Sequence, residues 1–363
     1  MKHNFAFVLD QQVGLRTQSL NIERVVRGDD SILPTFVPVR YASAELPLLA
    51  RLPCVPKNVS GTMAGIREIR SGLVGKKQDG VLWATWAAKS VPDLVSSAPA
   101  CLLMDMTPVQ MERMGALYGY SQSRAAFLGG WKRRATARLY QQSAHLFAWS
   151  EWVAQSLRDD YGVSDEKITT VAPGVDVSLF RPTPEQKPGD GVVRLLFVGG
   201  DFERKGGDML LRWARQTRTT IPWELHLVTR DVQTDLPAGV FAHYGITNNS
   251  PELVRLYQRS DLFVLPTRAD CYSLVAIEAM ASGLPVVCTD LGGIPEIVAE
   301  GETGMLIPPD NFDELAMRLD CLVESPNLRA RMSQAARARA LSCFDAGHNI
   351  GHILTRMRKE VAA

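Results

Sequence analysis

A segment in the second half of the chain, Ala269–Pro285, combines acidic residues with the start of a helix. Ser273 is a suitable N-cap and Gly283 a suitable residue after the last turn, so a helix is predicted over Leu274–Ser282. The N–H groups of its first turn and the helix dipole attract an anion, most naturally a phosphate. Glu278, just over one turn in, can accept hydrogen bonds from two vicinal hydroxyls, such as those of a ribose. The alternative is a helix that only packs on a sheet and leaves Glu278 in solvent.

A second segment, Val198–Asp208, has the composition of a phosphate-binding loop. A strand is predicted to end at Val198, two glycines follow, and a second glycine pair precedes the next helix. Between the glycine pairs lie Arg204 and Lys205, which suit a diphosphate because Arg offers paired N–H donors and Lys a point charge. An ordinary surface loop is the alternative.

The second half of the chain alternates short apolar strands with helical stretches, which predicts a parallel sheet built from βαβ units. The predicted strands are Val192–Val198, Leu225–Val228, Leu262–Leu265 and Pro285–Thr289. The predicted helices are Gly207–Gln216, Pro251–Ser260 and Ser273–Ser282. In a sheet of this kind, ligands bind at the carboxyl ends of the strands, where both segments described above begin.

The first half shows a similar alternation, with strands predicted at Phe5–Leu9, Val81–Trp86 and Cys101–Met104. The two halves are separated by Arg181–Gly191, which holds three prolines and two glycines and cannot continue a helix or a central strand. We therefore predict an α/β protein with two Rossmann-like domains that face each other across a cleft.

Composition excludes several classes of protein. The 363 residues carry 40 basic and 39 acidic side chains, and this balance is unlike that of a strongly basic nucleic-acid-binding protein. No apolar run approaches the ~20 residues of a membrane span. The six cysteines are widely spaced, which argues against C-x-x-C sites and favours a reducing cytoplasm. The pair His348 and His352 alone makes a poor metal site.

Positive charge is concentrated within residues 51–150, where 13 basic side chains outnumber 5 acidic ones. The densest part is Trp131–Arg134 together with Arg138. This pattern is typical of a solvated helix face. It also suits a surface that attracts an anionic acceptor or makes peripheral contact with an anionic membrane.

Taken together, the two segments resemble the family-4 (group 1) retaining glycosyltransferases, which have the two-domain GT-B fold. Asp270 and Glu278 stand at the ends of that family's E-x7-E motif, and the loop with Lys205 resembles its diphosphate-binding loop. Four further segments are also similar to the family: Val171–Asp176, Phe180–Pro182, Gly292–Val298 and Gly301–Gly304. The resemblance covers most of residues 145–345 and is weak in residues 1–144.

The resemblance implies how the donor's phosphates are held. Arg204 and Lys205 would bind the diphosphate and stabilise it as it leaves, and the backbone N–H groups of Ser273, Leu274 and Val275 would bind the same phosphates. No cofactor or metal is implied. The donor substrate would be a nucleotide sugar, UDP- or GDP-linked, and the acceptor is not specified.

Further roles follow from the same resemblance. Glu278 would hold the ribose hydroxyls and Asp270 would contact the transferred sugar. The segment around Ile246 would border the nucleobase. Gly14, in the loop predicted after the first strand, would let the N-terminal half close near the phosphates.

The chain departs from the family pattern in three places. Asp270 replaces the first Glu of the motif and is one methylene shorter. Gly200 stands where many relatives have an Arg, so we expect Arg204 to supply that charge. The family's N-terminal His is missing, and the residue we expect to face the sugar in its place is Asp105, whose alternative role is that of a turn residue before Thr107 and Pro108.

The sequence thus predicts a retaining, metal-independent glycosyltransferase that moves a sugar from a nucleotide-diphosphate sugar to an acceptor hydroxyl. The expected domains are 1–181 on the acceptor side, 182–345 for the nucleotide sugar, and a C-terminal helix, 346–363, that returns to the first domain. Two alternatives stay open: a nucleotide-sugar epimerase of the same fold, and a non-catalytic nucleotide-sugar-binding subunit.

Overall fold

The computed structural model describes residues 2–41, 57–115, 126–183, 185 and 187–362. Residue contacts divide the chain into two compact units. Among the described residues, the first unit comprises the chain up to Arg113, residues 126–172 and the chain again from Gly347, and the second comprises Pro173–Ala346 together with Met114 and Gly115. The sequence placed the division after Arg181. The residues just before Arg181 belong to the second unit because Arg337 donates hydrogen bonds to the carbonyl oxygens of Val177 and Phe180, at 3.1 and 2.9 Å.

The first unit is a six-stranded parallel sheet with the strand order β2-β1-β3-β4-β5-β6. Its strands are β1 (His3–Asp10), β2 (Ile32–Val39), β3 (Gly80–Ala84), β4 (Ala100–Met104), β5 (His145–Ala148) and β6 (Ile168–Thr170). The helices between them are α1 (Val13–Arg27), α2 (Lys57–Leu73), α3 (Pro92–Val95), α4 (Pro108–Arg113), α5 (Ala126–Gln142) and α6 (Glu151–Tyr161). The last six residues of β1 are all buried, as expected for a strand covered on both faces.

The predictions at β1 and β4 are confirmed, and the prediction at β3 is too long. β3 ends at Ala84 instead of Trp86. The side chain of Thr85 accepts a hydrogen bond from the Ala87 backbone N–H at 3.2 Å and so caps a short 3-10 helix, Trp86–Ser90. The cap stops the strand because the N–H group of Ala87 is directed to a side chain and not to a neighbouring strand.

The second unit is also a six-stranded parallel sheet, in the order β12-β11-β10-β7-β8-β9. Its strands are β7 (Val193–Val198), β8 (Trp223–Val228), β9 (Val240–His243), β10 (Leu262–Leu265), β11 (Val286–Thr289) and β12 (Gly304–Ile307). Its helices are α7 (Gly207–Gln216), α8 (Pro251–Arg259), α9 (Leu274–Ala281), α10 (Phe312–Glu324) and α11 (Pro326–Cys343). The four predicted strands and three predicted helices are all present, within two residues at each end.

The last helix, α12 (Ala346–Ala362), packs against the first unit. Arg358 pairs with Asp29 and donates a hydrogen bond to Ser31 Oγ at 2.8 Å. Asn349 donates to the carbonyl oxygen of Ala172 at 3.0 Å. Within the described ranges, no helix is both long and apolar enough to cross a bilayer.

Candidate active site

Two hydrogen bonds join the loop after β7 to the loop after β10, and each loop contributes two consecutive residues to them. Lys205 Nζ donates to Asp270 Oδ2 at 2.5 Å, and Arg204 Nη1 donates to the carbonyl oxygen of Ala269 at 2.7 Å. These contacts form because β7 and β10 are neighbours in a parallel sheet, so their carboxyl ends meet at one edge. Both cations predicted to bind a diphosphate therefore lie beside the segment that leads into α9.

The loop between β7 and α7 needs glycine because it packs closely on the end of β10. Gly206 has φ +78°, and a Cβ atom there would lie 2.1 Å from the carbonyl oxygen of Pro266. A Cβ atom on Gly207 would lie 2.2 Å from the ring of Phe202. The glycine pair thus lets the loop approach β10 closely enough for Lys205 to reach Asp270.

Gly200 contacts the side chain of Arg230, a cation that was not predicted as a site residue. Arg230, after β8, donates from Nε to the carbonyl oxygen of Gly200 at 3.2 Å, and a Cβ atom on Gly200 would lie 2.7 Å from that nitrogen. Arg230 is exposed. The carboxyl ends of three adjacent strands, β10, β7 and β8, therefore gather the guanidinium groups of Arg204 and Arg230 and the ammonium group of Lys205.

Ser273 is the N-cap of α9, as the sequence predicts: its hydroxyl accepts a hydrogen bond from the Ala276 backbone N–H at 3.3 Å. Ser273 and Leu274 are buried and Val275 is half-buried. The first turn carries no acidic side chain, so nothing there opposes the binding of an anion to its N–H groups.

The loop after β11 supports the approach to α9 from the other side. Gly292 has φ +59°, and a Cβ atom there would lie 2.7 Å from the carbonyl oxygen of Asp270. The next residue, Gly293, donates its backbone N–H to the carbonyl oxygen of Cys271 at 2.9 Å. This support fixes the backbone on which the Asp270 carboxylate is held.

Glu278 is only 2% exposed, so the alternative that placed it in solvent is wrong. Burial raises the pKa of its carboxyl group to about 7, although the hydrogen bond from Tyr257 lowers it. The Tyr257 hydroxyl donates to Glu278 Oε2 at 2.9 Å. Tyr257 itself is fully buried on α8 and packs edge-on against Phe180, with ring centroids 5.5 Å apart.

Tyr257 was not predicted as a site residue. The sequence shows it only as one apolar position of an amphipathic helix, and its contact with Glu278 spans 21 residues of the chain. The contact forms because α8 precedes β10 and α9 follows it. Nothing in the local sequence pattern indicates that the hydroxyl of this tyrosine faces a carboxylate.

The Lys205–Asp270 pair is largely shielded from water, with side chains 14% and 10% exposed. An ion pair in such surroundings holds both groups in a defined geometry, because each charge would be costly to leave unpaired. Arg204 pairs with Asp201 at 2.9 Å, and there the carboxylate is the more exposed partner. Among the described residues there is no cluster of three or more His, Cys, Asp or Glu side chains that could hold a metal ion.

The remaining predicted residues lie elsewhere. Ile246 is half-buried in the loop after the edge strand β9, which β8 separates from β7. Gly14 and Asp105 belong to the first unit. Gly14 lies in the first turn of α1 and not in a loop, since that helix begins at Val13; a Cβ atom on Gly14 would have no atom within 4 Å. Asp105 is half-buried directly after β4.

Solved structures show which fold the two parallel sheets form. Sucrose-phosphate synthase from Thermosynechococcus elongatus matches with a TM-score of 0.78 at 16% identity, over 99% of this chain and 100% of that one. Anabaena Alr3699/HepE, solved in complex with UDP-glucose, matches with a TM-score of 0.68 at 17% identity, over 98% of this chain and 100% of that one. The protein thus has the GT-B fold of two Rossmann-like units.

Family matches cover more than half of the sequence. Residues 184–339 match Glycosyl transferases group 1, and residues 102–179 match Glycosyltransferase Family 4. The chain belongs to the group 1, or family-4, glycosyltransferases.

Curated relatives match mainly over part of their length. The MMP alpha-(1->4)-mannosyltransferase of Mycolicibacterium hassiacum is 31% identical over 219 residues, which are 57% of this chain and 52% of the relative. The D-inositol 3-phosphate glycosyltransferase of Rhodococcus erythropolis is 31% identical over 230 residues, 57% of this chain and 51% of the relative. The chain thus spans about half the length of the curated relatives it matches.

Proposed function

We propose that the protein is a retaining glycosyltransferase that moves a sugar from a nucleoside-diphosphate sugar to an acceptor hydroxyl. The observation that carries the proposal is the joining of Lys205 to Asp270 and of Arg204 to Ala269, at the entrance to α9. Two cations and a helix N-terminus thereby lie next to a carboxylate. This combination suits a diphosphate linked to a hydroxyl-rich sugar.

The reaction breaks the bond between the anomeric carbon and the diphosphate, so negative charge grows on the departing oxygen. Arg204 and Lys205 would stabilise that charge, together with the N–H groups of Ser273, Leu274 and Val275. Because these groups are already held in place, they need no reorganisation as the charge develops, and one such donor is worth ~100- to 1,000-fold in rate. The acceptor hydroxyl would attack the same face of the sugar and pass its proton to the departing phosphate oxygen, which keeps the anomeric configuration and releases the nucleoside diphosphate.

Asp270 would accept hydrogen bonds from the transferred sugar. Its carboxylate is already engaged by Lys205, so the same lysine can orient the carboxylate and neutralise the phosphates. The short Asp side chain sets the carboxylate closer to the backbone than a Glu would. The donor sugar must reach correspondingly deeper into the loop after β10.

The nucleoside would lie along the carboxyl edge of the second unit. Glu278, held by Tyr257, would accept the ribose hydroxyls, and Ile246 would border the base. Gly200, with Arg230 above it, would provide room and charge near the phosphates. The donor would be UDP- or GDP-linked; the structural likeness to a protein solved with UDP-glucose favours UDP. No cofactor or metal ion is part of the proposal.

The first unit would bind the acceptor. Asp105, at the carboxyl end of β4, is the proposed polar group facing the transferred sugar in the absence of a histidine. Gly14, at the start of α1, would allow the N-terminal half to approach the donor phosphates, and the open space at this glycine supports that role.

The basic helix α5 would make peripheral contact with an anionic membrane. Trp131 is 67% exposed, and Lys132, Arg133, Arg134 and Arg138 are exposed beside it. Exposed cations next to an exposed tryptophan suit a surface of anionic head groups. Co-sedimentation with anionic vesicles but not with zwitterionic vesicles would support this contact, and equal recovery with both would exclude it.

The proposed activity is tested by incubating the protein with UDP- and GDP-sugars and measuring release of the nucleoside diphosphate. We expect slow release without acceptor, and at least ~100-fold slower release by Lys205→Ala. A change in the donor's sugar without release would show an epimerase. Tight nucleotide binding without any turnover would show a non-catalytic subunit. Equal release by both forms of the protein would contradict the assigned site.

A further inference from the structure

The first unit contains an apolar cavity at the carboxyl ends of its central strands. Residues after β3 and β4 line it, together with one face of α1 and the second half of α5. The cavity has a volume of about 50 Å³ and opens toward solvent. Its walls are mainly aromatic and aliphatic, with Trp83, Trp86, Met104, Leu139, Tyr140 and Trp149 the largest side chains.

Two polar atoms of the cavity's lining residues have no hydrogen-bond partner among the described residues: Gln18 Oε1 and Trp83 Nε1. Gln18 is 3% exposed and Trp83 is 1% exposed. A buried polar atom without a partner is costly, so such atoms are normally satisfied by water or by a ligand. The cavity therefore offers one hydrogen-bond acceptor and one donor from these two side chains, in a mainly apolar lining whose other polar residues are Ser19, Thr85, Lys89, Asp105 and Thr136.

The rim of the cavity is held by a hydrogen-bonded network that starts at the end of β1. Ser19 Oγ donates to the carbonyl oxygen of Asp10 at 2.8 Å, and Tyr41 donates to Asp10 Oδ2 at 2.7 Å. Thr85 also donates to Asp10 Oδ2, at 3.4 Å. Ser19 and Thr85 both line the cavity, so this network fixes α1 and the end of β3 around it. The positions of α1 and β3 around the cavity are thus held by hydrogen bonds at the carboxyl edge of the sheet.

We propose that this cavity binds the apolar part of the acceptor, so that the acceptor is a hydroxyl compound carrying a hydrocarbon or aromatic group rather than a free sugar. The inference rests on the proposed function, because it assigns the substrate class of the acceptor side. Asp105 lines the same cavity, which places the residue proposed to face the sugar beside the apolar group. Gln18 and Trp83 would hydrogen-bond polar atoms next to that group.

Binding of three simple glucosides tests the inference without any need for turnover. We would titrate methyl, phenyl and octyl β-glucoside, the last below its micelle concentration, and follow tryptophan fluorescence. Each methylene taken out of water is worth about fourfold in affinity. We therefore expect the phenyl or the octyl compound to bind at least ~10-fold tighter than the methyl compound. Preference for phenyl would indicate an aromatic acceptor, and preference for octyl an acyl-chain acceptor. Equal affinity of all three, or no binding, would overturn the inference.

Two variants locate the binding to the cavity. Ala84→Leu fills the space at the end of β3 and should reduce the preference for the phenyl or octyl glucoside over the methyl glucoside by at least ~10-fold. Ala135→Leu, on the exposed face of α5, is the size-matched control and should leave this preference unchanged. Gln18→Met should weaken octyl glucoside binding several-fold while the Tm stays equal or rises, because an unpartnered buried oxygen is removed. Unchanged preference in Ala84→Leu, or a lower Tm with unchanged affinity in Gln18→Met, would contradict the proposal.

A parallel titration with UDP and GDP separates this inference from the proposed function. Nucleotide binding without discrimination among the glucosides would overturn the apolar acceptor and leave the transferase proposal intact. Discrimination without binding of either nucleotide would overturn the transferase proposal instead. Binding of a nucleotide together with the expected preference supports both.

Discussion

Replacing Glu278 by glutamine tests whether this buried carboxylate is kept for a ligand. The change removes the charge but keeps an oxygen that can accept the hydrogen bond from Tyr257. Burial raises the pKa of the Glu278 carboxyl group from 4.5 to about 7. That rise corresponds to a cost of about 3 kcal/mol in the free energy of folding when the group is ionised.

The sign of the pH dependence follows from the raised pKa. At Glu278 the folded protein binds the proton more tightly than the unfolded chain, so the contribution of this group to stability is greatest below about pH 4.5, falls as the pH rises toward about 7, and is then level. We expect Glu278→Gln to unfold in urea with the same free energy as wild type near pH 4.5, and with up to about 3 kcal/mol more at pH 8. The exposed Glu302→Gln is the matched control and should show no such difference.

Nucleotide binding should change in the opposite direction. Hydrogen bonds to a charged acceptor are stronger than those to a neutral amide. Because Glu278 is proposed to accept hydrogen bonds from two ribose hydroxyls, Glu278→Gln should bind the nucleotide at least ~10-fold more weakly at pH 8. Calorimetric titration with UDP and GDP measures this loss. A variant that gains stability at pH 8 and loses nucleotide affinity fits the account. Unchanged affinity would refute the reasoning that Glu278 contacts the ligand, and unchanged stability would refute the buried, ionised carboxylate.

Other substitutions and conditions test the remaining parts of the site. Lys205→Ala should slow turnover at least ~100-fold. The control is Lys187→Ala, which removes a more exposed lysine that pairs with Asp261 and should leave turnover unchanged. Similar rates for the two variants, measured as release of the nucleoside diphosphate, would count against the role of the loop after β7 in binding the diphosphate. Gly206→Ala should lower the free energy of unfolding by several kcal/mol, because the added Cβ atom would overlap the carbonyl oxygen of Pro266. An unchanged Tm would show that the loop can shift. EDTA should leave donor release unaffected, and a loss restored by Mg²⁺ or Mn²⁺ would reverse the metal-independent assignment.

The sequence predicted the second unit well because its signals are local. Short apolar strands bounded by turn residues, an N-cap at Ser273 and a glycine after α9 each depend on a few neighbouring residues. Their order then placed Arg204, Lys205 and Asp270 at neighbouring strand ends. Two strands, β9 and β12, and two helices, α10 and α11, were not predicted. The two strands have four residues each, and β9 leaves Phe241 47% exposed at the edge of the sheet.

What the sequence could not predict are contacts between distant elements. The hydrogen bond from Tyr257 to Glu278 and the contact of Arg230 with Gly200 depend on how α8 and β8 pack beside the site. The apolar cavity of the first unit likewise combines residues that are far apart in the sequence, from α1 to Trp149 just after β5. Asp10 is buried at the end of β1, one residue beyond the strand predicted over Phe5–Leu9.

The central claim is that the second unit binds a nucleoside diphosphate where Lys205 meets Asp270. A calorimetric titration of UDP, GDP and ADP into wild type and Lys205→Ala tests it most directly. The account predicts saturable binding of at least one nucleotide, at one site per chain, with affinity at least ~10-fold weaker in the variant. Absence of binding for all three nucleotides, or equal affinity in the two proteins, would contradict it.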